Sequence, residues 1–573
     1  MQGQPELWAE VRDSTIGKDA VIHTPFGQRR LTYADYTASG RAVRLVEERL
    51  QSYLDRYGNT HTEDDATGML TSRWLKDAEA TIKRLVNAGP AHKIVTVGSG
   101  TTAAVHRLQQ ILGIYVPPAG RDFFRALLAD QLPAAQHAAL AARLEASRPV
   151  VFVGPYEHHS NEVSWRECYA EVVEIDLTPE GLLDLDDLRR KVSSPAYASR
   201  RRIGAFSAAS NVSGVTTPVY EVARILHEHG ALAFFDYAAS APYVRMDMRH
   251  DEHSGFDALY FSPHKFLGGP GSCGVLIFHE RIYRADLSPT VSAGGTVDYV
   301  GFDGQAYSTD IEVREKAGTP PILQTMRAAL AMELKERLGQ DLIRQREEEL
   351  TRRAHAELGS HPAIQLMGAV GPESRLPIFS FNIRVGSSWL HPRFVTTLLN
   401  DLFGIQSRAG CSCAGPYGHR LLHIDAQKSD EFRRAILSGN VGLKPGWARV
   451  NFHYLHTDAE AAFICRAIRF VADHGKRFLP RYEFDIHSGA WRHRGFDLAE
   501  PAFGLGESFA QPMTPAATRP GAAAAARGTD ADLERLFEQY LVEARRLVES
   551  TGPGPTDAEL KTTEKDLIPF VYV

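Results

Sequence analysis

Seven short apolar runs, beginning near residues 94, 150, 171, 203, 232, 258 and 274, are mostly separated by stretches whose apolar residues fall at helical spacing. Strands buried on both faces and alternating with helices are what a largely parallel sheet requires, because each parallel crossover needs a dozen or more residues. The pattern predicts an α/β protein. In such folds a ligand sits outside the carboxyl ends of the strands, and the polar clusters of this chain fall there.

The run near 258 ends in Ser262-Pro-His-Lys265, and a glycine-rich turn then leads into Val275-Leu-Ile-Phe278. A lysine just past a buried strand is desolvated, which lowers its pKa and frees the amine as a Schiff-base nucleophile. The plainer alternative is a solvated loop lysine. Gly269, Gly271 and Gly274 also spell G-x-G-x-x-G, but a dinucleotide fingerprint opens a helix, and here the glycines lead into a strand. Upstream, Ala233-Phe-Phe-Asp236 is an apolar strand closing on one acid.

Three further segments share this design. Ile94-Val-Thr-Val-Gly-Ser-Gly-Thr-Thr102 reads as a strand, a small-residue turn and a helix start, either a Ser/Thr cap or a phosphate cup. Val150-Val-Phe-Val153 delivers Glu157-His-His-Ser-Asn161, and the strand from Arg202 delivers Ser210-Asn-Val-Ser-Gly214.

Ser262-x-His264-Lys265 with the strand-end Asp236 resembles the fold-type I pyridoxal 5'-phosphate enzymes, and within them class V, which holds the cysteine desulfurases. The resemblance implies a large, mostly parallel-sheet domain followed by a smaller C-terminal α/β domain. It implies that Lys265 carries the cofactor and that Asp236 keeps its pyridine nitrogen protonated, with Ser262 and His264 beside them. Gly100, Thr101 and Thr102 match the family's phosphate-binding Gly-x-Thr. Glu-His-His-x-Asn is similar to the group II (Suf-type) desulfurases, whose first histidine, here His158, stacks on the pyridine ring and shuttles protons. Asn211 matches the asparagine that bonds the phenolic oxygen. Ala317-Gly-Thr-Pro320 matches a motif whose threonine, Thr319, reaches the phosphate of the neighbouring subunit, which implies a homodimer with shared sites. Residues 33–38 are a loose version of the family's Tyr-Leu-Asp-x-Ala-Ala, near the entrance of the site.

Arg408-Ala-Gly-Cys-Ser-Cys-Ala414 resembles the group II Arg-x-Gly-x-x-Cys-Ala, with Cys413 in the place of the persulfide-forming cysteine. A zinc site from Cys411, Cys413, His419 and His423 lacks the usual C-x₂₋₄-C spacing, so no metal is expected. Arg449, on a strand, matches the arginine that clamps the substrate carboxylate, a task suited to its planar fork. One departure is Ala239, where the family commonly has a glutamine that bonds the phenolic oxygen; related sulfurases lack it too.

The 573 residues divide into an N-terminal segment 1–30, a cofactor-binding domain 31–321 and a small domain 322–500. Two inserted helices over 117–148 interrupt the large domain. A Pro/Ala/Gly-rich flexible linker 501–528 leads to a terminal stretch 529–573. In the latter, Thr529 or Asp530 caps an amphipathic helix stopped by Gly552, with an aromatic tail ending at Val573. Residues 41–57 and 68–88 also read as helices. A net charge of −6 gives no electrostatic reason to expect nucleic acid or an anionic membrane. No apolar run approaches bilayer length, the N-terminus lacks a signal-peptide layout, and five scattered cysteines make no disulfide framework, so the chain reads as cytoplasmic.

The expected activity is that of a cysteine desulfurase, taking sulfur from cysteine as a persulfide on Cys413, releasing alanine and passing the sulfur to an acceptor, for which a sulfur-acceptor protein is one candidate. Two rivals stand beside it. One is a carbon–sulfur lyase, aminotransferase or epimerase of the same class, and the other is a sulfur-relay or regulatory protein acting through its C-terminal helix.

Overall fold

The computed structural model describes residues 4–60, 62, 64–496, 529–550, 555–556, 559–563 and 567–573. The seven apolar runs form one sheet: β1 (His92–Val97), β2 (Val150–Val153), β3 (Glu171–Glu174), β4 (Arg202–Ser207), β5 (Leu232–Asp236), β6 (Ala258–Phe261) and β7 (Gly274–His279). Their order is β1-β7-β6-β5-β4-β2-β3. The pairings from β3 through β6 are parallel, and β7 runs antiparallel to both β6 and β1. The apolar runs arise because both faces are covered. Val150 and Phe152 belong to one core layer, while Val151 and Val153 belong to the other.

Helix Arg44–Leu54 falls within the periodic stretch 41–57, and helix Ala66–Leu85 overlaps the stretch 68–88 but starts two residues earlier and ends three earlier. Asp65 caps the second by accepting from Thr67 and Gly68 N–H groups. The insertion folds as Pro118–Gln131 and Ala134–Ser147, and neither helix has a buried residue. No helix among the described residues is long and apolar enough to cross a membrane.

After the helices Ile322–Leu338 and Gln340–Gly359 comes a second sheet, built on Ile378–Val385 and Trp447–Asn451. Arg408–Gly410 pairs with the latter, and Ser388–Leu390 extends the other side. The helix Asp530–Ser550 is capped by Thr529, whose hydroxyl accepts from the Asp532 N–H. It packs on the helix Asp458–His474, where the Phe537 and Phe463 rings stack 4.0 Å apart. The tail Phe570–Tyr572 adds a parallel strand beside Ser388–Leu390. Gly552 and the linker 501–528 lie outside the described residues.

A short parallel pairing matters most for the site. Thr32–Tyr33 pairs with Ile405–Gln406, Tyr33 opposite Gln406, which sets Asp35 level with Arg408.

Candidate active site

The carboxyl ends of β1, β4, β5 and β6 open into a cavity of about 620 Å³, closed on the far side by residues of the second sheet. Thr101, Thr102, His158, Asn211, Asp236, Ser262, His264, Lys265, Cys413 and Arg449 all line it, as does Ala239. Thr319 does not; it is exposed, and its hydroxyl accepts from Asn59 Nδ2 at 3.3 Å. A larger cleft of about 1020 Å³ lies between the N-terminal hairpin and the helix Asp530–Ser550. Arginines there already meet carboxylates, Arg30 with Glu460 and Asp19, and Arg29 with Glu543.

Lys265 closes a single turn of 3₁₀ helix after β6, and its half-buried side chain lines the cavity. Burial draws its pKa from 10.5 to about 8, against the support of the Asp236 carboxylate and with a smaller push from Arg449 and Arg408. Asp236 ends β5 almost fully buried, and its carboxylate accepts the Ala238 N–H at 2.7 Å. Burial lifts it to about 6, opposed by that bond and by Lys265. A buried acid and a half-buried, desolvated amine thus meet at one cavity.

His158 caps a short 3₁₀ turn, its Nδ1 accepting the Ser160 N–H at 3.1 Å. Burial, reinforced by Lys265 and neighbouring cations, pulls His158 down to about 3, so its ring is neutral at physiological pH. His264 is likewise drawn down to about 4 by burial and by Lys265. Behind this wall Glu157 accepts from Ser207 N–H, Ser207 Oγ and Asn161 Nδ2.

The helix Thr101–Ile111 points its N-terminus into the cavity. Thr101 N–H donates to Ser262 Oγ at 2.8 Å, and that hydroxyl donates to Thr101 Oγ1 at 3.0 Å. Thr102 Oγ1 and Ser160 Oγ lie 2.7 Å apart. Close approach explains two glycines. A Cβ on Gly100 would stand 2.9 Å from Ser262 Oγ, and one on Gly274 would stand 2.3 Å from the Gly100 carbonyl oxygen. The helix dipole, a cluster of hydroxyls and a backbone kept open by glycine make this end of the cavity suitable for an anion.

The opposite wall carries residues that the sequence reading did not assign. Arg408 and Arg449 face each other in the antiparallel register of the second sheet, which would repel. Asp35 lies between them: its Oδ1 is 2.9 Å from Arg449 Nη2, and its Oδ2 is 3.7 Å from Arg408 Nε. Two cations and one anion leave a net positive wall. Arg449 Nη1 also donates to the Asn211 carbonyl at 2.9 Å.

Cys413 sits in a turn closed by the Ala414 N–H on the Cys411 carbonyl at 3.1 Å. Ser412 and Cys413 have φ of 51° and 55°, a left-handed pair that costs non-glycine residues roughly 1–2 kcal/mol each. The fold holds the turn from outside. Asn211 Nδ2 donates to the Ser412 carbonyl at 2.7 Å, and Trp447 Nε1 to Ser412 Oγ at 3.1 Å. The His159 N–H donates to the Cys413 carbonyl at 2.8 Å, and His159 Nε2 accepts the Gly415 N–H at 2.9 Å. His419 bonds Gly415 and Ser429, and among the described residues no cluster of His, Cys, Asp or Glu is arranged to hold a metal ion.

The sequence matches the family described as aminotransferase class-V over residues 129–439. A probable cysteine desulfurase of Halalkalibacterium halodurans is 29% identical over 391 residues, covering 67% of this chain and 84% of that protein. Another, of Staphylococcus aureus, is 29% identical over 393 residues, covering 68% and 84%. Among solved structures, a cysteine desulfurase from Thermococcus onnurineus NA1 aligns with a TM-score of 0.62 at 22% identity, over 81% of this chain and 98% of that one. The cysteine desulfurase CsdA of Escherichia coli aligns with a TM-score of 0.58 at 22% identity, over 80% and 97%. These structural likenesses speak for the fold.

Proposed function

Because this chain belongs to the aminotransferase class-V family, whose members generally use pyridoxal phosphate, we propose that it is a cysteine desulfurase that moves sulfur from cysteine onto Cys413 and releases alanine. Its relatives of probable desulfurase function support the reaction class. The observation that carries the reading is that Cys413 shares one cavity with the desolvated amine of Lys265, the buried Asp236 and a cationic wall.

The residues fit the cofactor. The anion-seeking end at Thr101, Thr102 and Ser262 suits its phosphate, Asp236 suits its ring nitrogen, and His158 offers a neutral ring as a stacking face. When bound, pyridoxal phosphate supplies an electron-withdrawing ring that stabilises negative charge at the substrate Cα. Lys265, with a pKa near 8, has an appreciable neutral fraction at physiological pH, so Nζ can hold the cofactor's aldehyde and later take the Cα proton. Arg449 binds the substrate carboxylate, drawn by the net charge that Asp35 leaves uncancelled. Cys413 Sγ, as thiolate, then attacks the substrate sulfur; the S–S bond forms as the Cβ–S bond breaks, the electron pair stays with Cβ, and Cβ takes up a proton to give alanine. Thr319, outside the cavity, serves the second subunit's phosphate if the dimer forms as in the family.

Replacing Cys413 tests this reading. Cys413→Ser should keep the cofactor's absorbance and lose sulfur release from cysteine. Near-normal sulfide production would transfer the enzyme to the carbon–sulfur lyase reading, in which Cys413 has no chemical part.

A further inference from the structure

Five cysteines divide into two kinds. Cys168, Cys273 and Cys465 are buried, and burial pushes Cys168 up to about 12 and Cys273 up to about 11. Cys411 and Cys413 reach the surface, Cys413 exposed and Cys411 half-buried.

These two stand at the first and third positions of one turn. Positive φ at both central residues, with the bond from Ala414 to Cys411, is the pattern of a type I′ turn. Two 3.80 Å Cα steps bent through such a turn leave the first and third Cα about 5.5 Å apart, within the span a disulfide bridges. Neither serine nor cysteine favours this backbone. It is imposed by Asn211, Trp447 and His159, which bond Ser412 and Cys413 but not Cys411. The fold therefore spends three outside contacts on keeping Cys413 curled back toward Cys411.

We propose that Cys411 is a resolving thiol that releases sulfur from Cys413 by forming a Cys411–Cys413 disulfide. The proposal rests on the reading that Cys413 receives the substrate sulfur. In the step, Cys411 Sγ gives its proton to solvent and attacks Cys413 Sγ. The Cys411 Sγ–Cys413 Sγ bond forms, the bond from Cys413 Sγ to the terminal sulfur breaks, and hydrosulfide leaves with the electron pair. Cys411 sulfur is oxidised, the terminal sulfur is reduced, and the oxidation level of Cys413 is unchanged. The first turnover needs no added reductant. Later ones need a dithiol of the dithiothreitol or thioredoxin class to reopen the disulfide by thiol exchange.

The test uses cofactor-loaded, full-length protein freed of external thiol and mixed with one equivalent of cysteine. Wild type should give about one sulfide per alanine, and the peptide spanning 411–413 should be two hydrogens lighter than its reduced form. Cys411→Ser should form alanine yet hold the sulfur, its peptide one sulfur atom heavier until dithiothreitol is added. A parallel arm loads sulfur directly from inorganic polysulfide, bypassing the cysteine chemistry; wild type should again form the internal disulfide and Cys411→Ser should not. Wild-type protein that stays persulfidated in both arms, or a variant that releases sulfide as fast as wild type, would overturn the proposal. Absence of alanine with a disulfide still formed from polysulfide would support the resolving role and overturn the desulfurase reading alone.

Discussion

Asp35 Oδ1 lies 2.9 Å from Arg449 Nη2, joining residues 414 positions apart in the chain. Both side chains are almost fully buried, and Asp35 also faces the half-exposed Arg408. Removing one partner of a buried pair strands the other charge, at a cost of roughly 3–5 kcal/mol. Asp35→Ala should therefore lower the melting temperature and weaken capture of the substrate carboxylate, since Arg449 loses its anchor. Unchanged melting and an unchanged KM would show that the pair neither stabilises the fold nor orients Arg449.

Lys265 gives a pH prediction with a definite sign. Its amine must be neutral to react with an aldehyde, and burial lowers its pKa to about 8. When cofactor-free protein meets pyridoxal phosphate, the rate of colour formation should rise with pH and level off above about 8. Asp236 supports the charged ammonium, so Asp236→Asn should move the midpoint lower. A wild-type midpoint near that of a free lysine would contradict the burial argument, and Lys265→Ala should form no borohydride-fixable adduct.

His159 is expected to act on the turn through Gly415. His159→Ala orphans the Gly415 N–H, at about 1 kcal/mol, and loosens one side of the Cys413 turn. Sulfur transfer should slow several-fold while the cofactor's absorbance stays. A rate equal to wild type would show that Asn211, Trp447 and the backbone N–H of residue 159 hold the turn without the imidazole ring.

The C-terminal helix is expected to stabilise the catalytic chain. Phe537, fully buried against Phe463, should cost about 3–5 kcal/mol on replacement by alanine. Deleting 529–573 should lower the melting temperature and expose apolar surface to a dye. A truncated protein with unchanged melting and dye binding would mean that the packing against Phe463 contributes nothing in solution.

The parts legible in the sequence were those with local causes. Burial on both faces writes strands as continuous apolar runs, and placement at strand ends singled out Asp236 and Lys265. Arg408 and Asp35 were visible as residues but not as partners, because their meeting depends on the Thr32–Tyr33 pairing with Ile405–Gln406. The left-handed Ser412 and Cys413 were also hidden, since neither residue type signals positive φ and the cause lies in Asn211, Trp447 and His159. Likewise the aromatic tail gave no sign of its partner strand, Ser388–Leu390, which is too short to declare an open edge.

Product analysis after incubating the loaded protein with cysteine tests the central claim most directly. The account predicts alanine, with the sulfur recovered as sulfide or as persulfide on Cys413, and no alanine-linked sulfur release from Cys413→Ser. Pyruvate and ammonia in place of alanine, at equal rates in wild type and Cys413→Ser, would contradict it.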